Sequence, residues 1–178
     1  MPPSLTIDPA TKAVVAVDYA GQPCDYDSLR SLCKSRGIKL IADACHSFGA
    51  AYQDGPVGTL ADITAFSFHP VKIITTGEGG MALTNNLELY QCMARLRSHG
   101  ITRDPQHMTF GPLGPWYYEQ LELGYNYRMT ELQGAVGLAQ LENLDTVVLA
   151  VSHINSSLGL PDAVNEIELT GACTGLTP

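Results

Sequence analysis

A five-residue run made only of alanine and valine, Ala13-Val14-Val15-Ala16-Val17, is followed by a helical signature and then by a second, mostly apolar run from Ile38 to Ala42. A valine-rich run with no polar alternate suits a strand covered on both faces. Between the two runs Asp25 is placed to cap a helix reaching about Arg36. That helix keeps Leu29, Leu32 and Cys33 on one face and has Gly37 just past its end. Two strands joined by a helix make a βαβ unit with parallel strands and a right-handed crossover. The sequence therefore predicts an α/β fold with a mostly parallel sheet and flanking helices.

The alternation continues downstream. Ile63 to Phe68 and Gly80 to Thr84 read as further strands. A helix is predicted from Asn86 to about His99, with Leu89, Met93 and Leu96 sharing a face and Gly100 ending it. From Ile101 to Tyr127 no period is visible, and Pro105, Pro112 and Pro115 interrupt any regular element. The aromatic residues of this stretch, among them Phe110, Trp116 and Tyr127, favour a surface that packs against a second subunit. Thr130 to about Leu144 reads as a last helix with Leu132, Val136 and Ala139 inward.

A chain of 178 residues fits one domain. The formal charge of −8, with no cluster of lysine or arginine, argues against a partner held through a phosphate backbone, so nucleic acid is excluded. No stretch approaches the length of a membrane span and no secretory signal core is present, which predicts a cytoplasmic protein with no membrane partner. Five cysteines without Cys-x-x-Cys spacing read as reduced thiols.

The chemistry concentrates near Lys72, which follows the Ser67-Phe68-His69-Pro70-Val71 run and precedes Gly77-Glu78-Gly79-Gly80. A lysine amine among apolar and glycine residues suits attack on an aldehyde to form a Schiff base, although a lysine in a loop also snorkels to water. Asp43 falls at the carboxyl end of a predicted parallel strand, where open α/β sheets build their sites, but an aspartate there also serves as a helix cap. Asp43 and His46 as zinc ligands lack a third and fourth partner, so no metal site is expected. Cys45 and His46, adjacent in extended chain, point to opposite faces and do not form a thiol dyad. The Gly-x-Gly-Gly segment matches neither a Walker nor a Rossmann loop and reads as a tight turn bringing the backbone close to Lys72.

Three stretches, Asp43-Ala44-Cys45-His46-Ser47-Phe48-Gly49-Ala50, Ser67 to Gly80, and Leu123-Gly124-Tyr125-Asn126-Tyr127-Arg128-Met129-Thr130-Glu131-Leu132-Gln133, together resemble the DegT/DnrJ/StrS sugar aminotransferases. The likeness covers about Lys12 to Leu144 and is nearest the branch that makes the 4-amino precursor of pseudaminic acid. It implies a partial large domain of a fold-type I transferase dependent on pyridoxal 5'-phosphate, with the family's N-terminal region and C-terminal small domain missing. Residues 1–145 would then be the central part of that domain, and residues 146–178 a divergent tail, frame-shifted or poorly ordered.

The resemblance further implies that Lys72 holds the cofactor and that Asp43 pairs with its pyridine nitrogen. His46 would stand beside the phenolic oxygen and Ser67 would bind the phosphate. Asn126 would reach the cofactor of the neighbouring subunit in a homodimer. The reaction implied is amino transfer, with glutamate as donor, to a nucleotide-linked 4-keto-6-deoxy sugar in surface polysaccharide or nonulosonic acid biosynthesis. Two alternatives stay open: an inactive truncated fragment, and another pyridoxal phosphate reaction such as sugar dehydration, against which the intact Lys72 argues.

Overall fold

The structure, a computed structural model, describes residues 7–53 and 55–145. The tail expected at 146–178 lies outside the described residues. Four strands make the main sheet: β1 (Ala13–Val17), β2 (Lys39–Asp43), β5 (Ile63–Ser67) and β6 (Gly80–Leu83), in the order β1-β2-β5-β6. The first three run parallel, in register Val17 to Asp43 to Ala65, and β6 runs antiparallel to β5. Two-residue strands β3 (Ala51–Tyr52) and β4 (Gly55–Pro56) form a separate hairpin between β2 and β5.

The first crossover is helix α1 (Tyr26–Arg36). Asp25 starts it by accepting from the Ser28 N–H at 3.2 Å and the Ser28 hydroxyl at 2.6 Å. Gly37, at φ 64°, ends it in the left-handed conformation that glycine adopts without a Cβ penalty. Its buried residues Tyr26 and Cys33 join Leu40, Ala42, Phe66 and Phe68 in the core. Phe48 closes that core, meeting Phe66 and Phe68 edge to face with ring centres 4.9 and 5.6 Å away.

Helix α2 (Leu87–Arg97) is capped by Asn86, as the sequence predicts, and α3 (Glu131–Leu141) starts on a reciprocal capping box between Thr130 and Gln133. The face of α3 differs from expectation. Leu132 is 81% exposed and Val136 46% exposed, Ala139 is exposed too, and the buried position is Gly137, seated against the Thr76 side chain. Close approach to the Thr76 loop demands a residue without a side chain, so the helix meets its neighbour through glycine instead of through its apolar stripe.

Strand β1 departs likewise. Val14 and Ala16 pack inward, but Val15 and Val17 are 59% and 50% exposed, so among the described residues one face of this strand is bare. The irregular stretch from Ile101 to Tyr127 holds a small hairpin, β7 (Ile101–Thr102) with β8 (Glu119–Gln120). A buried carboxylate organises it, since Glu119 accepts from the N–H groups of Thr109 and Phe110 and from the Tyr117 hydroxyl. Such polar anchoring leaves no trace in hydrophobic period. The Gly-x-Gly-Gly turn brings the chain close to β5, since a Cβ on Gly80 would stand 2.7 Å from the Phe66 carbonyl oxygen.

Candidate active site

The parallel strands β1, β2 and β5 end side by side, and the residues at those ends surround a cleft of about 260 Å³. Asp43 closes β2 and Ser67 closes β5, so alternation along the two strands puts both on the half-open face of the sheet. After Ser67 the chain turns, with the His69 N–H donating to the Ser67 hydroxyl at 3.4 Å and the Lys72 N–H to the His69 carbonyl at 2.9 Å. That turn returns the Lys72 side chain to the mouth of the strands. Asp43, His46, Ser67 and Lys72 thus line one cavity.

Three further residues share it: Val17, Asp18 and Cys45. Asp18 follows β1 directly and is fully buried. Its carboxylate accepts from the Ser47 hydroxyl at 2.6 Å, the Tyr26 hydroxyl at 2.8 Å and the Cys24 N–H at 3.0 Å. Sequence reasoning missed it, although the carboxyl-end rule that selected Asp43 on β2 selects Asp18 on β1 equally well. Burial pushes the Cys45 thiol up to about 11, helped by the Asp43 carboxylate, while Lys72 pulls the other way. Cys45 is therefore a protonated wall of the cleft and no nucleophile.

His46 is exposed at the rim, where its Nδ1 accepts from the Ala20 N–H at 3.3 Å. Asn126 is not in this cleft. It lies exposed in an antiparallel bridge with Ser98, between Tyr125 and Tyr127, whose rings stack at 4.7 Å. No group of three or more His, Cys, Asp or Glu among the described residues is arranged to hold a metal ion, and no described helix is long and apolar enough to cross a membrane.

Residues 4–158 match the DegT/DnrJ/EryC1/StrS aminotransferases as a family. The chain belongs to that family. It is 42% identical over 133 residues to the UDP-4-amino-4,6-dideoxy-N-acetyl-beta-L-altrosamine transaminase of Campylobacter jejuni, covering 75% of this chain and 33% of that protein. The structure superposes on Helicobacter pylori PseC, an aminotransferase involved in the biosynthesis of pseudoaminic acid, with a TM-score of 0.71 and 38% identity over 79% of this chain and 35% of that one. It also superposes on DesI, solved in the presence of its TDP-sugar product, with a TM-score of 0.70 and 31% identity over 85% of this chain and 35% of that one.

The chain thus spans about a third of the length of the curated relatives it matches. Its fold is part of the large domain of a fold-type I pyridoxal phosphate enzyme. The cleft suits that cofactor. It offers an amine for the aldehyde, a carboxylate for the ring nitrogen, and a hydroxyl and an imidazole for the oxygens, all at one end of the sheet.

Proposed function

We propose that this chain contributes the cofactor-binding centre of a pyridoxal phosphate aminotransferase acting on a nucleotide-linked 4-keto-6-deoxy sugar, with glutamate as amino donor. Residues 1–145 supply the central part of its large domain. The observation that carries the reading is the convergence of Lys72, Asp43, His46 and Ser67 on a single cleft at the carboxyl ends of β2 and β5, in a chain of a sugar-aminotransferase family. When bound, the cofactor supplies an electron-withdrawing ring conjugated to the substrate carbon.

The chain's own residues do the rest. Lys72 would hold the cofactor covalently through Nζ and, when free, would act through that nitrogen as general base for the proton at the substrate carbon. Asp43 keeps a proton on the ring nitrogen by placing a carboxylate against it. Ser67 donates its hydroxyl to the phosphate and His46 meets the phenolic oxygen. Asn126, exposed and outside its own cleft, reaches the phosphate at the neighbouring subunit, which makes a homodimer the working unit and the exposed aromatic stretch around it part of the contact. The reaction belongs to cytoplasmic synthesis of sugars for surface polysaccharide or nonulosonic acids.

The test is chemical capture. Borohydride added with pyridoxal phosphate should fix one adduct, mapped to Lys72 by peptide mass, and Lys72→Ala should lose both the adduct and turnover of a nucleotide keto-sugar. An adduct elsewhere, no adduct, or turnover in Lys72→Ala would refute the assignment. A dehydrated instead of an aminated sugar product would favour the dehydratase reading.

A further inference from the structure

Asp18 sits at the junction of three segments that meet at the cleft. Its N–H donates to the Asp43 carbonyl at 3.0 Å, and its own carbonyl accepts from the Gly21 N–H at 3.2 Å, starting a tight turn over Tyr19–Gly21. Its buried carboxylate takes the Ser47 hydroxyl from the segment after β2, and the Tyr26 hydroxyl from the start of α1. The turn and the Cys45–Ser47 segment are thereby fixed against each other.

His46 is gripped where they meet. Ala20, non-glycine yet left-handed at φ 55° and ψ 22°, directs its N–H at His46 Nδ1 at 3.3 Å. Gly21, at φ 87°, passes so close that a Cβ would stand 3.0 Å from the His46 carbonyl oxygen, and the Tyr19 ring lies edge-on to the imidazole with centres 6.2 Å apart. A left-handed alanine costs about 1 kcal/mol and persists only where its surroundings over-determine it.

A backbone N–H has one proton and no lone pair, so a ring nitrogen that accepts from it is unprotonated. In a neutral imidazole the proton is then on Nε2. We infer that Asp18 is a positioning residue: by clamping the Tyr19–Gly21 turn to Ser47 it locks His46 in the Nε2–H form, so the cleft meets this histidine as a hydrogen-bond donor. The nature of the acceptor, an anionic oxygen on the bound cofactor, rests on the proposed function. The locked tautomer does not.

Two-bond 15N–1H correlation spectra of the histidines in the full chain without cofactor test the inference. His46, assigned by its loss in His46→Gln, should show the pure Nε2–H pattern, and Asp18→Asn should shift it toward a mixture of tautomers. Ser47→Ala cuts the link to the His46 segment, together with the longer contact of the same hydroxyl to the Ala44 carbonyl at 3.4 Å, and gives the same reading should Asp18→Asn fail to fold. An Nδ1–H or mixed pattern in the unaltered chain, or an unchanged pattern in Ser47→Ala, would overturn the inference.

Titration with pyridoxal phosphate, followed by its absorbance, supplies the second arm. His46→Phe should weaken binding about tenfold, while His46→Gln, which keeps a side-chain N–H donor, should stay within about threefold of the unaltered chain. Equal weakening in both overturns the donor role. A pure Nε2–H pattern in a chain that binds no cofactor would uphold the locked tautomer and defeat the functional reading instead.

Discussion

Replacing Tyr26 with phenylalanine removes one oxygen atom from a fully buried site. The Tyr26 ring is fully buried, packs edge-on against Tyr52 at 5.7 Å, and donates its hydroxyl to Asp18 at 2.8 Å. In Tyr26→Phe the ring stays and the carboxylate keeps only the Ser47 hydroxyl and the Cys24 N–H. A hydrogen bond to a charged, buried acceptor contributes about 1.5–3 kcal/mol, so the loss should be about 2 kcal/mol. With a denaturant slope of about 2 kcal/mol/M for a chain of this size, the urea midpoint followed by circular dichroism should fall by about 1 M. The difference should also depend on pH. Burial, reinforced by the Asp18 carboxylate, pushes the Tyr26 phenol far above its ordinary value. A group with a raised value contributes fully below the unfolded phenol's value of about 10 and loses that contribution as pH climbs beyond it. The gap between the two proteins should therefore hold near pH 7 and narrow above about pH 10. A midpoint unchanged at pH 7, or a gap that widens in alkali, would mean that Tyr26 and Asp18 do not share a buried hydrogen bond.

Thr130→Ala deletes the hydroxyl half of the α3 capping box and should cost about 1 kcal/mol in thermal unfolding, whereas Thr130→Ser should be nearly neutral. Gly124→Ala should cost more than about 1 kcal/mol, because its Cβ would run into the backbone of His99 and Gly100, and a wild-type melting curve would contradict that packing. Iodoacetamide should modify Cys45 about a hundredfold more slowly at pH 8 in the folded chain than in urea, as befits a thiol raised to about 11 from near 9. Equal rates would show that the cleft wall is wetter than described. Asp43→Ala should retain the borohydride adduct at Lys72 yet abolish amino transfer, and loss of the adduct alone would assign Asp43 to binding.

Local grammar made much of this fold readable. Asp25 and Gly37 bracket α1, Asn86 starts α2, and the apolar runs locate β1, β2 and β5, because caps and strand periods are written in neighbouring residues. Contacts made at long range were not readable. The apolar period of α3 points to Leu132 and Val136, yet Gly137 faces the fold, since what decides is the shape of the Thr76 loop 61 positions away in sequence. The hairpin of β7 and β8 hangs on Glu119, whose carboxylate binds the Thr109 and Phe110 N–H groups ten and nine positions back, a polar contact that no apolar period marks. At the cleft, Lys72, Asp43, His46 and Ser67 could be picked out before their meeting was visible, whereas Asp18 was not singled out. Its value lies in burial and in bonds to Tyr26 and Ser47, neither of which a single sequence displays.

Strand β1 stands outermost in its sheet, with hydrogen-bonding partners along only one flank among the described residues. The backbone groups on its other flank can recruit any extended segment of suitable pitch, and Val15 and Val17 add adhesive surface beside them. For whoever purifies this polypeptide, colloidal behaviour will hinge on that rim: dilution and mild ionic conditions that preserve the repulsion of a −8 charge should keep molecules apart, and added salt should drive them together.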